Sequence, residues 1–503
     1  MSHVAFRPRG ERFELDTDYV VVGSGAGGGA VASGLARGGA KVAVVEAGPW
    51  RDPTDYPNSM YGTFRDMMDD FGTMVTRGRA IWPVVQGRVV GGTTVINSAI
   101  IVRTPGDVFK MWQDDLGFGG DALAEAVWAH QDALDEEIVV TTVPREIEGL
   151  HNQLARKGAQ AVGIHDHDMR RSVKDCLGSG RCLQGCKSER KQSTNLFMIP
   201  EVLVRGGDVL SNAPVKKVVF EGRKAIGVEG RFIHPVTRKA GAKFFVRARK
   251  AVVMAASATY SPAILLRSGV KSKALGEGFM AHPGTGVFGC YEQTVQMDVG
   301  ATQGWSSMKL RESRGFKLET LSLPFELLSS RLAGGGRQLI ERALAYPHIT
   351  LWVMAVRAEA RGRVRAGFGG KPVVSYTFTK RDMMRAREAM HLIARMHFEA
   401  GAKSVIPAIY GLPYSLGPDQ VDLIKEASLD PRAWVLILSH LFGGCGMGAD
   451  PARSVCDPQG RVHGYENLVV ADAAAIPTTI GVNPQLTIMA LARLRADELL
   501  ARG

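Results

Sequence analysis

The chain has 503 residues, 45% of them hydrophobic and 22% charged, with a formal net charge of +12. This is ordinary globular balance in a chain too long for one small core, so two or more domain-sized units are expected. No dense Lys/Arg run is interleaved with aromatics, which argues against nucleic acid. No apolar run reaches the roughly 18 residues of a spanning helix, and six cysteines are too few for a disulfide scaffold.

In chain order, the opening MSHVAFRPRGERFELD has arginines but no apolar segment behind them. No secretory signal is expected, and a cytoplasmic location is, with peripheral contact to a membrane left open. From Asp18 the sequence reads DYVVVGSGAGGGAVASGLARGGAKVAVVEAG. Tyr19–Val22 reads as a buried parallel strand, residues 29–37 as a helix and Lys41–Val45 as a second strand. Between the first strand and the helix lies G-x-G-x-x-G at Gly23, Gly25 and Gly28, with Ser24 inside it. Gly23 permits a tight turn, Gly25 lets backbone approach a pyrophosphate, and Gly28 lets helix and strand pack closely. The helix N-terminus offers free N–H groups to phosphates. Glu46, at the end of the second strand, is placed to accept from ribose hydroxyls. The pattern predicts a dinucleotide without separating NAD from FAD.

Residues 87–103 read GRVVGGTTVINSAIIVR. This is a loop able to press backbone N–H groups against a flat or anionic ligand, or an ordinary tight turn. Residues 176–186, CLGSGRCLQGC, hold half the cysteines: Cys176, Cys182 and Cys186. Such thiols bind an iron–sulfur centre or zinc, or are structural. Residues 320–346 form two apolar helical stretches around Ala333–Gly336 and suggest a lid over a pocket. Residues 350–378 alternate like two or three antiparallel strands. Residues 381–402 read as an amphipathic helix whose His391 and His397 are surface or packing residues. The C-terminal stretch holds HLFGGCGMG at 440–448 and IPTTIGVNPQLTIMALA at 476–492. There Asn483 sits among apolar residues, and a buried amide without a partner costs roughly 2–7 kcal/mol.

The nucleotide motif, GRVVGGTTVIN, VVMAASATYSPAILLRSG (252–269), LGEGFMAHPG (275–284) and the last 65 or so residues together resemble the glucose–methanol–choline (GMC) oxidoreductases. The C-terminus is most similar to the branch with cholesterol oxidase and long-chain alcohol oxidases. The resemblance implies an α/β fold, with a Rossmann-type FAD domain (16–105, 200–285 and 455–503). A second α+β substrate domain on an antiparallel sheet (106–199 and 286–454) completes it. It implies FAD contacts at Arg88, Gly91, Gly92, Thr93 and Asn97, with the backbone of Val215 meeting adenine and Asp472 the ribityl or phosphate region. Pro484 would open a last helix whose dipole meets the flavin. Some relatives attach flavin to a His where this chain has Ile96, so dissociable FAD is expected.

The implied reaction is oxidation of a lipophilic alcohol. His440 takes the hydroxyl proton as general base, Asn483 donates to the substrate oxygen, and hydride passes to flavin N5. Oxygen, a quinone or an acceptor protein would take the electrons. The cysteine segment resembles that of membrane-linked FAD sugar dehydrogenases, which leaves open a sugar or polyol dehydrogenase with an iron–sulfur relay. A flavin-binding protein without turnover is the remaining alternative.

Overall fold

The computed structural model describes residues 2–165 and 167–502. Its first sheet is parallel in the middle. Strands Ser2–Val4, Asp208–Leu210, Val42–Val45, Phe13–Val22 and Ala240–Met254 follow one another across it. Leu468–Val470 joins in parallel, and the hairpin of Val215–Glu221 and Lys224–Ile233 closes one edge antiparallel. Val20, Val21, Val42, Ala43 and Val44 are wholly buried, as in a sheet covered on both faces.

Helix Ala26–Arg37 lies against the final helix Gln485–Leu500. The contact needs small residues: a Cβ on Gly34 would stand 2.8 Å from that of Ala496. The helix starts at Ala26, ahead of the position the sequence pattern suggests. Its early glycines are sites of close approach rather than helix breakers. A Cβ on Gly27 would lie 2.1 Å from the Ala471 carbonyl oxygen, and one on Gly28 2.0 Å from that of Gly23.

The second sheet is antiparallel and centred on the long strand Glu277–Cys290. Its neighbours include Ile349–Val356, Gly362–Ala366 and Ile437–Phe442, and Phe316–Thr320 pairs beyond Ile349–Val356. Residues 350–378 thus supply three strands, Pro372–Ser375 being the third. Helix Lys380–Glu399 backs the sheet, started by a capping box between Thr379 and Asp382. His397 packs as expected: it stacks on Trp352 with ring centroids 3.6 Å apart.

Two expected boundaries move. Residue 285 falls inside strand Glu277–Cys290, which belongs to the second sheet. Helices Gly106–Leu116 and Gly120–Glu137, expected with the substrate domain, pack into the first core through Phe109, Trp112 and Val127. The stretch 320–346 forms short helices Phe325–Ser329 and Gly336–Leu344. Among the described residues no helix is long and apolar enough to cross a membrane.

Candidate active site

One continuous cavity of about 1940 Å³ runs between the two sheets. Its lining includes Val215 and Gly230 of the edge hairpin, Gly23–Gly27 and Glu46, and Arg88, Gly92, Thr93 and Asp472. His440, Asn483 and Pro484 line it too, and Phe288, Leu321, Leu323 and Leu351 give it an apolar arm. The arrangement brings together motifs that are hundreds of residues apart.

Ser24 joins the first two motifs. Its N–H and Oγ–H both donate to Glu46 Oε2, at 3.0 and 2.7 Å, while its Oγ accepts from the N–H of Gly91 at 2.9 Å. Glu46 Oε1 takes the N–H of Gly48 at 2.7 Å. The carboxylate therefore shapes the glycine loop itself, besides lining the cavity. Burial pushes its pKa up, opposed by these donors. Gly91 and Gly92 have φ of 98° and 54°, the left-handed region where glycine is favoured. They make the turn that faces Gly25, whose own added Cβ would meet nothing nearer than 3.9 Å. This open glycine cradle at a helix N-terminus suits a pyrophosphate, so the residues present fit a dinucleotide.

Thr93 Oγ1 accepts from Gly87 N–H at 2.9 Å, and Asn97 donates to Gln485 Oε1 at 2.6 Å. Asn97 thereby ties the loop to the first turn of the last helix. Pro484 immediately precedes that helix, and its carbonyl takes the N–H of Ile488. Asp472 accepts from Ser261 Oγ, Ser257 N–H and Ala474 N–H, at 2.6, 2.8 and 2.8 Å. Burial lifts its pKa to about 6. Its main partners are the turn it pins. Arg88 is 3.9 Å from Asp69.

The turn carrying Asn483 is gripped from below. Arg311 donates to the Ile480 carbonyl at 2.7 Å and, with Arg357, binds Asp107. Gly481, at φ 73°, turns its N–H onto His282 Nε2 at 2.9 Å. His282 and His440 are paired across adjacent strands, Nδ1 to Nδ1 at 3.3 Å. These bonds fix the protons. The lone pair that meets Gly481 is on His282 Nε2, so His282 Nδ1 carries hydrogen and donates to His440 Nδ1. The His440 proton then sits on Nε2. Burial, with Lys317 adding repulsion, lowers the His440 pKa to about 3, and His282 is held well below its usual value by burial and by His440. Both rings are neutral at physiological pH.

The partner of the Asn483 amide is Lys317. Its ammonium, with Glu319 on one side, donates to Asn483 Oδ1. Asn483 Nδ2 is left for a ligand: the amide's bond among the described residues is through Oδ1. Lys317, Glu319 and His282 went unmarked in the sequence. Lys317 and Glu319 alternate with apolar neighbours in FKLET, which reads equally well as a strand with a solvated face. The i, i+2 spacing of two opposite charges within one strand was the available signal.

Of the readings left open for Cys176, Cys182 and Cys186, the metal centres find no support. Among the described residues no group of three or more His, Cys, Asp or Glu could hold a metal ion, and all three thiols are free. Arg171 Nη2 lies 2.9 Å from Cys182 Sγ. Burial raises the Cys182 pKa, but Arg171 and Lys191 outweigh it and the thiol is lowered overall. Lys191 is spent on the carbonyls of Val95, Asn97 and Cys182, at 2.6, 2.8 and 2.8 Å. The loop is a hydrogen-bonded brace beneath GGTTVIN.

A nucleotide cradle on a parallel sheet shares one cavity with two neutral histidines on an antiparallel sheet and an asparagine on the turn before the last helix, an arrangement that fits an oxidoreductase. Residues 18–284 and 358–492 match the two parts of the GMC oxidoreductase family, and the chain belongs to that family. It is 33% identical over 488 residues to an uncharacterized GMC-type oxidoreductase of Mycobacterium tuberculosis, covering 96% of this chain and 76% of that one. A long-chain-alcohol oxidase of Arabidopsis thaliana is 26% identical, over 97% of this chain and 68% of its own. Among solved structures, pyridoxine 4-oxidase from Mesorbium loti superposes with a TM-score of 0.72 at 18% identity, over 96% and 99% of the two chains. A formate oxidase does so with 0.75 at 15%, over 98% and 99%.

Proposed function

We propose that this chain oxidises a lipophilic alcohol to an aldehyde or ketone, with non-covalent FAD as hydride acceptor and His440 and Asn483 at the carbinol. The observation that carries this is the placement of both side chains on one cavity with the glycine cradle. FAD would lie between Val215 and Pro484, held by the loops of Ser24 and Gly91, with Ile96 offering no nucleophile for attachment. When bound, it supplies the electron sink. The lipophilic preference is supported by the apolar arm of the cavity and by the long-chain-alcohol oxidase names of relatives. Their oxidase names support oxygen as the acceptor.

In the resting tautomer His440 Nε2 and Asn483 Nδ2 are both donors. Together they hold the carbinol oxygen and favour its alkoxide form, which makes the neighbouring C–H a better hydride donor. For His440 to take the proton itself, as general base, its Nε2 must be freed of hydrogen, and His282 must release Gly481. The Glu319 carboxylate, on the same cavity, is an acceptor that needs no such change. Oxidised protein mixed with alcohols, polyols and sugars under argon tests the reading. Long-chain alcohols are expected to bleach the flavin. Bleaching by sugars alone would move the enzyme to the dehydrogenase class, and no bleaching by any would leave a flavin-binding protein without turnover.

A further inference from the structure

The floor of the cavity's substrate arm is one face of the second sheet, and its chemistry changes in steps of two residues. The first row is Lys317, Ala355 and Gly284, and the next is Glu319, Val353 and Gly286. The third is Leu321, Leu351 and Phe288. Polar groups thus stand at the histidine end, and only hydrocarbon at the other. From His282 to Phe288 along one strand is a distance on the order of 20 Å.

At that apolar end the segment after helix Phe325–Ser329 brings in Arg331, which lines the cavity. Leu328 and Leu332, on either side of it in sequence, pack in the cluster with Phe288 and Leu351. Among the described residues the Arg331 guanidinium has no hydrogen-bond or ion-pair partner. Of the other cations on the cavity, Lys317 has Glu319, Arg88 has Asp69 and Lys371 has Asp70, while Arg267, at the end of helix Ser257–Arg267, has no ion pair among the described residues. Burial lowers the Arg331 pKa, and no neighbouring charge opposes it. A half-buried guanidinium facing hydrocarbon is costly unless something anionic meets it. The nucleotide's phosphates do not answer for it, because their cradle is at the start of helix Ala26–Arg37, on the other sheet.

We propose that Arg331 receives a carboxylate at the far end of the substrate, so that the alcohol oxidised here is a long-chain hydroxy acid with its hydroxyl and carboxylate at opposite ends. This rests on the reading of the cavity as an alcohol-oxidising site. A planar guanidinium can grip a carboxylate through two parallel N–H bonds, which also sets how deep the chain enters. The carbinol then reaches His440 and Asn483 only when the chain spans the apolar rows.

The test uses holoenzyme and two ligands of equal chain length, hexadecanol and ω-hydroxyhexadecanoate, with wild type, Arg331→Leu and Arg331→Lys. Binding is followed by the change in flavin absorbance and by calorimetry, and flavin reduction is followed separately under argon. Wild type is expected to bind the hydroxy acid roughly tenfold or more tightly than the alcohol, and Arg331→Leu to erase that margin while leaving hexadecanol within about twofold. Arg331→Lys keeps part of it. Equal binding of both ligands by wild type, equal weakening of both by Arg331→Leu, or loss of FAD in that variant overturns the proposal. Arg331-dependent binding without flavin reduction keeps the anion site and removes the alcohol-oxidising reading. Reduction by both ligands with no dependence on Arg331 does the reverse.

Discussion

Lys317 sets the electrostatics around His440 and Asn483. It holds Asn483 Oδ1 and so turns the amide's N–H group toward the cavity, and its charge helps keep His440 neutral. Replacing it should therefore do two separable things. Lys317→Met leaves Glu319 buried beside a methyl group, which should cost about 3 kcal/mol of stability in urea titration. It also removes a cation from His440, whose pKa should rise from about 3, shifting the acid limb of the kcat/KM profile upward. An unchanged acid limb would show that Lys317 does not reach His440. Asn483 and His440 were legible in the sequence because each sits in a short motif with turn residues around it. Their partners were not, since a lysine and a glutamate in a strand carry no sign of the long-range packing that buries them.

At the scale of elements, Gly28 was readable as a packing glycine within the nucleotide loop, but Gly27 was not. Gly27 is outside the G-x-G-x-x-G triplet, yet the Ala471 carbonyl oxygen would be 2.1 Å from its Cβ. That contact joins the first helix to the turn after strand Leu468–Val470, which carries Asp472. Gly27→Ala should force backbone apart, lowering stability by about 3 kcal/mol and weakening FAD retention on a desalting column. Normal retention and stability would mean that the two elements can slide without loss. The cysteine loop shows the opposite limit. Spacing alone allowed a metal cluster, while the partner Cys182 has in the fold is Arg171, whose place there depends on strand Arg170–Ser172 and not on any local pattern.

Across the whole molecule, helices Ala26–Arg37 and Lys380–Glu399 and some strands of each sheet were visible as hydrophobic periodicity, because each element's buried face repeats locally, whereas helices Gly106–Leu116 and Gly120–Glu137 went unmarked. Domain limits were less visible, since helix Gly120–Glu137 packs on the final helix, Gln485–Leu500, at the other end of the chain. Burial of neutral histidines is a property of the assembled molecule, and it sets the pH response. Burial lowers His151 to about 4 and His397 and His440 to about 3, and holds His282 well below its usual value. The unfolded chain binds protons at these rings first, so stability present above the unfolded value of about 6.5 is lost as pH falls below it. Asp472, raised to about 6, works against this because its folded form binds the proton first. Glu46, also raised by burial, works the same way, but the four rings outnumber these two carboxylates, so stability should fall between about pH 6 and pH 5. Urea midpoints at two or three pH values check it, and a flat response would mean that the rings are solvated.

The most direct measurement is the rate at which a long-chain alcohol bleaches the bound flavin under argon, in wild type and in His440→Gln. The account predicts that the variant retains its yellow flavin and is reduced roughly a hundredfold or more slowly. Reduction of the variant at the wild-type rate, or a wild-type protein that takes up no flavin, would contradict it.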